Sequence, residues 1–341
     1  MNNTPFRYDF STSRENNVAI IGTGAWGTAI ASQLCKKNPL VLAYTIEEKI
    51  YEQINNSHTH PGLPDISLPT NLKVTLNIAD LSKTRYLVIA VPSGVLMSTL
   101  KEISTSLITA DTRLIIATKG LHEDGELFSD KISETYNAPF GFLAGPNLAM
   151  EVARNTKSTT MIASKDYRTA SEIAQIMSTD TFSAFPTQEL VAIQIAGAVK
   201  NVAAILAGML DGVIYGDNTK SWMFTLALQD IVNIAYMINK KSGGNVQQNS
   251  ILNPGVVGDL VLGFYSKNSR NNTFGRLLSE TPSKERQALL NSYPILVEGV
   301  RNCNVLYLLT QRHGLSTSII STLHKILQDP EKLEFYISRL F

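Results

Sequence analysis

Four short stretches of this sequence combine residue types and spacing that can do chemistry. The first is ELVAIQIAGAVKNVAAILAGMLDG (189–212), where Gln194, Lys200 and Asn201 are the only plainly polar side chains between Leu190 and Leu210. Lys200 and Asn201 project about 100° apart on a helix, so one ligand at its edge touches both. The competing reading is a lysine whose stem packs while its ammonium reaches water. The second is IIATKG (115–120), which presents Lys119 where an apolar strand ends; the residue is either a solvated loop lysine or a contact to an anion or carbonyl. The third is GDLVLGFYSKNSRNNTFG (258–275), with the carboxylate of Asp259 followed by Ser269, Arg270 and Asn271. Arginine beside hydroxyl and amide donors suits a dianion, although a solvated SRNN loop is as ordinary. Glu298, in LVEGVRN, reads on its own as a helix-surface charge.

The fourth stretch is VAIIGTGAWGTAIASQL, with Gly22, Gly24 and Gly27 after an apolar run and opening a helix near Trp26. In that setting the first glycine allows a tight turn and the second a close backbone approach to a pyrophosphate. The third lets helix pack on strand, and the phosphates sit at the helix N-terminus. The acidic ribose ligand of such sites belongs at the end of the second strand, but LVLAYTIEE offers Glu47 and Glu48 only beyond it, with Glu47 either a ribose ligand or the first turn of the next helix, and no arginine for a 2′-phosphate. NAD and NADP therefore both remain open.

Positioning these groups requires two kinds of architecture. VAII (18–21), LVLAY (40–44), YLVIAV (86–91), RLIIAT (113–118), FGFLA (140–144) and TTMIA (159–163) read as strands alternating with helical segments at 28–37, 94–107 and 168–178. Such alternation predicts a parallel sheet covered by helices. Ligands of these sheets gather beyond the strands' carboxyl ends, where Pro92, Lys119 and the Gly145-Pro146-Asn147 turn stand. From Glu189 onward the apolar spacing is helical, in runs at 189–211, 221–241, 253–266, 286–292, 295–313 and 316–328. The expected fold class is an α/β Rossmann-type N-terminal domain with a mostly parallel sheet, plus an all-α C-terminal domain. The expected boundaries are a flexible leader (1–16), a dinucleotide-binding domain (17–188) and a helical substrate domain (189–341), with a loop at 240–250.

Composition narrows the functions. The 30 basic and 29 acidic residues leave no basic excess for nucleic acid. Two cysteines form neither a disulfide framework nor, with the histidines, a metal-ligand pattern, and they fit a reducing cytosol. Residues 190–210 are long enough for a membrane span, but Gln194, Lys200 and Asn201 would lie near the bilayer centre, which favours a buried helix.

In order, GTGAWGTA (22–29), HPGLPDISLPTNL (60–72), VPSG (91–94), ATKGL (117–121), AGPNLAMEVA (144–153), GAVKNVAAILAGMLDG (197–212), GDNTK (216–220), GDL (258–260), SRNNTFGRLL (269–278) and VEGVRN (297–302) resemble the bacterial type of the NAD(P)-dependent glycerol-3-phosphate dehydrogenase family. The resemblance runs from about Val18 to Leu327. It implies reversible hydride transfer between NAD(P)H and dihydroxyacetone phosphate, giving sn-glycerol 3-phosphate for glycerophospholipids, in a cytoplasmic homodimer. It makes Lys200 the proton donor, Asp259 the carboxylate that orients it, and Lys119 a second active-site lysine near cofactor and substrate. It puts Ser269, Arg270 and Asn271 on the phosphate side, with Asn201 beside Lys200 and Arg270 also near the cofactor. Asn147 takes the place of a substrate-contacting serine, Ala149 and Glu298 take cofactor positions, and Gly22, Gly24, Ala25, Trp26 and Gly27 form the cofactor turn. The chain departs from the family pattern at Ala25, Ile46, Gly94, Leu226-Ala227, NPGVVGDL (253–260) and Gly263. A non-catalytic relative, or a hydroxy-acid dehydrogenase that keeps the cofactor, is the alternative those departures suggest.

Overall fold

The computed structural model describes residues 17–104, 107–212, 215–241, 251–266 and 269–341; the expected leader and residues 242–250 of the expected loop lie outside the described residues. The strands are β1 (Val18–Ile21), β2 (Val41–Tyr44), β3 (Leu72–Thr75), β4 (Tyr86–Ile89), β5 (Arg113–Ile116), β6 (Phe140–Ala144), β7 (Ser158–Ala163) and β8 (Phe182–Thr187). Between them run α1 (Ala25–Leu34), α2 (Glu48–Glu52), α3 (Leu96–Ile103), α4 (Phe128–Thr135), α5 (Ala149–Ala153) and α6 (Tyr167–Met177). Then come α7 (Leu190–Gly212), α8 (Asp217–Lys241), α9 (Asp259–Tyr265), α10 (Arg270–Glu280), α11 (Arg286–Ser292), α12 (Glu298–Arg312), α13 (Ile319–Gln328) and α14 (Leu333–Ser338).

One sheet takes all eight strands in the order β3-β2-β1-β4-β5-β6-β7-β8. The pairs β1–β2, β1–β4, β2–β3, β4–β5, β5–β6 and β7–β8 are parallel. Every residue of β1 and β4 is buried, as expected of strands covered on both faces. The order reverses between β1 and β4, so the crevice beyond their carboxyl ends is the fold's natural ligand position. β3 and β8, absent from the expected strands, are the two edges. LKVT carries the half-buried Lys73, and FSAFPT carries Pro186, which an edge strand tolerates because its N–H is not needed. Neither has the continuous apolar run that marks the central strands.

The described residues divide into two compact units. One holds the chain to Thr118 with Ile132–Leu143 and Asn147–Gln188; the other holds Lys119–Lys131, Ala144–Pro146 and Glu189–Phe341. In the second unit α7 is the hub, packed by α8, α9, α10, α12 and α13. It is long and apolar enough to cross a membrane, but 89 % of its most apolar window is buried. Glycines allow α10 to approach its backbone: a Cβ on Gly275 would stand 1.9 Å from the Ile205 carbonyl oxygen, and one on Gly208 2.0 Å from that of Asn272.

Two expected segments differ in detail. The 253–266 run is a π turn, Pro254–Gly258, capped by the Asn253 side chain on Gly255 N, and only then α9. The SRNN segment is not a loop: Ser269 caps α10, and Arg270 and Asn271 are its first two residues. Serine followed by polar residues is an N-cap signature, outweighed in the sequence by the lack of an apolar stripe.

Gly275→Ala is expected to destabilise the chain by about 2–4 kcal/mol, because a methyl against a backbone carbonyl has nowhere to go. Gly216→Ala, with nothing within 4 Å of its Cβ position, should stay within about 1 kcal/mol. Urea denaturation of the two variants makes the comparison.

Candidate active site

In the first unit, the glycine turn follows β1. Gly22 has φ +100° and its Cβ would stand 2.6 Å from the Ala90 carbonyl oxygen, while that of Gly27 would stand 1.9 Å from the Gly22 oxygen. Both positions exclude a side chain. Gly24 is different: it is exposed and its Cβ position has no atom within 4 Å. The turn is thus closed on the protein side and open at its second glycine, as a pyrophosphate cradle at the N-terminus of α1 needs to be. Ala25 is the first residue of α1, and Trp26 packs its ring edge-on to Phe182 at 6.5 Å with its Nε1 buried and unpartnered. Beyond β2, Ile46 is 83 % exposed and Glu47 precedes α2 without capping it.

The second unit brings three of the expected residues into direct contact. Lys200 Nζ lies 2.6 Å from Asp259 Oδ1, and Lys119 Nζ lies 2.5 Å from Asp259 Oδ2. One carboxylate, 1 % exposed, therefore uses both oxygens on two lysines separated from it by 59 and 140 residues. Each element has a reason to deliver its group. Lys119 follows β5 through Thr118, whose hydroxyl donates to Val91 O at 2.7 Å. Gly120 turns the chain at φ +127°, and Arg301 of α12 donates to Leu121 O at 3.0 Å. The Lys119 stem lies over Gly197, whose Cβ would stand 3.6 Å from that of Lys119. Gly197 and Lys200 are three apart, so they share one face of α7. Asp259 enters at the first turn of α9, directly after the π turn.

The electrostatics follow from this burial. Desolvation on its own would raise the Asp259 pKa, but the two ammoniums and their hydrogen bonds hold it below the usual carboxylate range. Lys119 is pushed down to about 8, first by burial and then by the Lys200 ammonium, with Asp259 opposing both. When all three groups are ionised the cluster carries one net positive charge. It can attract an anion, and it can hold a proton close to its exchange range.

Nearby, Asn271 Nδ2 donates to Asn201 Oδ1 at 3.0 Å and Asn271 Oδ1 accepts from Gly299 N at 3.0 Å. Asn271 thus ties α7 to the first turn of α12, where Glu298 is the first residue and half-buried. The Ser269 hydroxyl is engaged as a cap, accepting from Asn272 N. Arg270 is exposed and has no ion pair among the described residues. Asn147 and Ala149 belong to the first unit: Asn147 Nδ2 donates to Thr159 O at 2.9 Å, its Oδ1 is buried without a partner, and Ala149 opens α5. Spacing gave no hint that Gly197 seats Lys119, because that contact spans 78 residues of sequence. Nor did it show the 2.8 Å bond between His60 Nε2 and Thr23 O, which links residues 37 apart.

A Rossmann-type sheet with this turn, and a helical unit with this lysine–aspartate–lysine cluster, define a dinucleotide-dependent dehydrogenase. Residues 17–170 match the family model for the NAD-dependent glycerol-3-phosphate dehydrogenase N-terminus, and residues 189–338 match that for its C-terminus. The chain belongs to the NAD-dependent glycerol-3-phosphate dehydrogenase family. It is 35 % identical over 316 residues to glycerol-3-phosphate dehydrogenase (NAD(P)+) of Rickettsia typhi, covering 91 % of this chain and 97 % of that one. It is 33 % identical over 323 residues to the enzyme of the same name from Orientia tsutsugamushi, covering 94 % and 96 %. The crystal structure of glycerol-3-phosphate dehydrogenase from Coxiella burnetii superposes with a TM-score of 0.86 at 25 % identity, covering 96 % of this chain and 99 % of that one.

Asp259→Asn leaves two mostly buried lysines, 19 % and 15 % exposed, without their shared counter-ion, and is expected to cost about 3 kcal/mol of stability at neutral pH. The loss should shrink as pH rises, because Lys119 has a depressed pKa and sheds its charge there. Chemical denaturation of wild type and variant at pH 6.5 and 9 measures this; an equal deficit at both would contradict it.

Proposed function

We propose that this chain catalyses reversible reduction of dihydroxyacetone phosphate to sn-glycerol 3-phosphate, the backbone of glycerophospholipids. Bound NAD(P)H supplies the hydride. The observation that carries the reading is the Asp259 carboxylate clamped between Lys119 and Lys200 in a chain of this family. A ketone accepting hydride develops alkoxide charge, which a positioned ammonium stabilises and protonates. Lys200 is that donor, and Asp259 orients it. Lys119 adds positive charge for a dianionic substrate and lies near the cofactor as well.

In the same reading, Ser269, Arg270 and Asn271 serve the phosphate side, with Arg270 a cation that has no ion pair among the described residues and Asn271 the residue that orients Asn201. Asn147 takes the substrate-contacting position, its amide held by the Thr159 carbonyl. Gly22, Gly24, Ala25, Trp26 and Gly27 hold the dinucleotide, with Ala149 and Glu298 as further cofactor contacts. Residues 17–188 form the dinucleotide-binding domain and residues 189–341 the substrate domain, with Lys119 contributed to the latter's chemistry. The Ile46-Glu47-Glu48 segment contains no cation, which favours NADH over a 2′-phosphorylated cofactor. The enzyme works as a homodimer in the cytoplasm.

The test is oxidation of NADH or NADPH at 340 nm with dihydroxyacetone phosphate, with NADH the better cofactor. Lys200→Ala should lower kcat by about a thousandfold or more while cofactor binding persists. Folded wild-type protein that oxidises neither cofactor would refute the assignment.

A second outcome concerns pH. Lys119 loses its charge as pH rises through about 8, so kcat/KM for the phosphate substrate should fall above that value. Lys119→Met should start low and lose this limb of the profile; an unchanged alkaline limb in the variant would remove Lys119 from substrate binding.

A further inference from the structure

His60 has no part in the chemistry above, yet the residue is only 6 % exposed and its ring is bonded on both nitrogens within the first unit. Nε2 lies 2.8 Å from Thr23 O, and Nδ1 accepts from Gly62 N at 3.0 Å. A carbonyl can only accept and an amide N–H can only donate. The ring therefore carries its hydrogen on Nε2 and is bare at Nδ1. Burial lowers its pKa, with the Thr23 bond and Glu47 opposing. The 60–62 turn is seated on the start of α1, since a Cβ on Gly62 would stand 3.0 Å from that of Ala25.

The carbonyl it holds is the middle of the glycine turn. Thr23 O also accepts from Thr28 Oγ1 at 3.3 Å, so two side chains fix it from the protein side. No peptide bond among the described residues is cis, and a planar trans peptide sets its N–H antiparallel to its C=O. Anchoring Thr23 O therefore also fixes the direction of the Gly24 N–H, on the exposed glycine whose Cβ position is empty.

We propose that His60 is a positioning residue for the dinucleotide: it holds the Thr23–Gly24 peptide so that the Gly24 N–H is presented to the cofactor's pyrophosphate. The proposal rests on the reading of the glycine turn as the dinucleotide cradle. The ring acts through the backbone and touches neither the cofactor nor the substrate. Its loss frees a peptide that must otherwise be ordered when the dinucleotide binds.

Two replacements separate the ring nitrogens in the full-length protein. In His60→Gln the amide nitrogen reaches the place of Nε2 and keeps the bond to Thr23 O. In His60→Asn the amide oxygen mimics Nδ1, keeps Gly62 N and loses Thr23. Fluorescence titration with NADH, together with steady-state kinetics, should show His60→Asn raising the Kd and KM for NADH by about tenfold. Its kcat at saturating NADH and its KM for dihydroxyacetone phosphate should hold within about twofold, and His60→Gln should bind NADH nearly as wild type. Equal NADH affinity in wild type and His60→Asn, or a loss confined to kcat and melting temperature, overturns the proposal. If His60→Asn does not fold, Thr28→Val decides: weaker NADH binding supports the role of the anchored carbonyl, and unchanged binding overturns it. Wild type binding neither NADH nor NADPH would defeat the cradle reading itself, whereas a wild type that binds beside unaffected variants defeats only the role of His60.

Discussion

The second unit is organised around a single buried carboxylate shared by two ammonium groups. Taking Asp259 out of water costs several kcal/mol, and attraction in the dry interior repays that only when geometry and hydrogen bonding are complete. Both oxygens are used here, at 2.5 and 2.6 Å. The surrounding sequence serves that arrangement. The apolar run of α7 packs around the Lys200 stem, leaving its side chain 15 % exposed, and the missing side chain of Gly197 makes room for the Lys119 stem. The π turn before α9 runs directly into the helix and sets Asp259 at its first position.

The glycine turn is the corresponding constraint in the other unit, and it works by steric exclusion rather than by charge. Gly22 and Gly27 are packed against backbone, whereas Gly24 is left open. A backbone surface that recognises a phosphate must be rigid before the ligand arrives, since ordering it on binding would consume affinity. The hydrogen bonds on Thr23 O provide that rigidity from residues that follow the turn in sequence.

Much of this was legible in the sequence where the signal is local. The central strands announce themselves by short, fully apolar runs. The glycine spacing after VAII locates the tight turn between β1 and α1, and Lys200 stands out as a charge within a mostly apolar helix. The edge strands β3 and β8 did not show, because Lys73 and Thr75 interrupt the apolar run of β3, and β8 leaves four of its six residues partly or fully exposed and carries Pro186. The start of α10 was hidden because an N-cap serine followed by arginine and asparagine has the composition of a loop. The pairing of Lys119 with Asp259 crosses 140 residues, and no periodicity encodes a contact of that range. Ser269 shows what composition hides: its hydroxyl also caps a helix, accepting from Asn272 N.

The shared anchor is tested most directly by a double-mutant cycle in kcat between Asp259→Asn and Lys200→Met, run with dihydroxyacetone phosphate and saturating NADH. If Asp259 acts by holding Lys200, each single change removes most of the proton-donor contribution and the double variant is hardly worse than either. The coupling free energy is then expected to be about 2 kcal/mol or more. Losses that simply add, or an Asp259→Asn variant with near wild-type kcat, would contradict a mechanism built on that carboxylate.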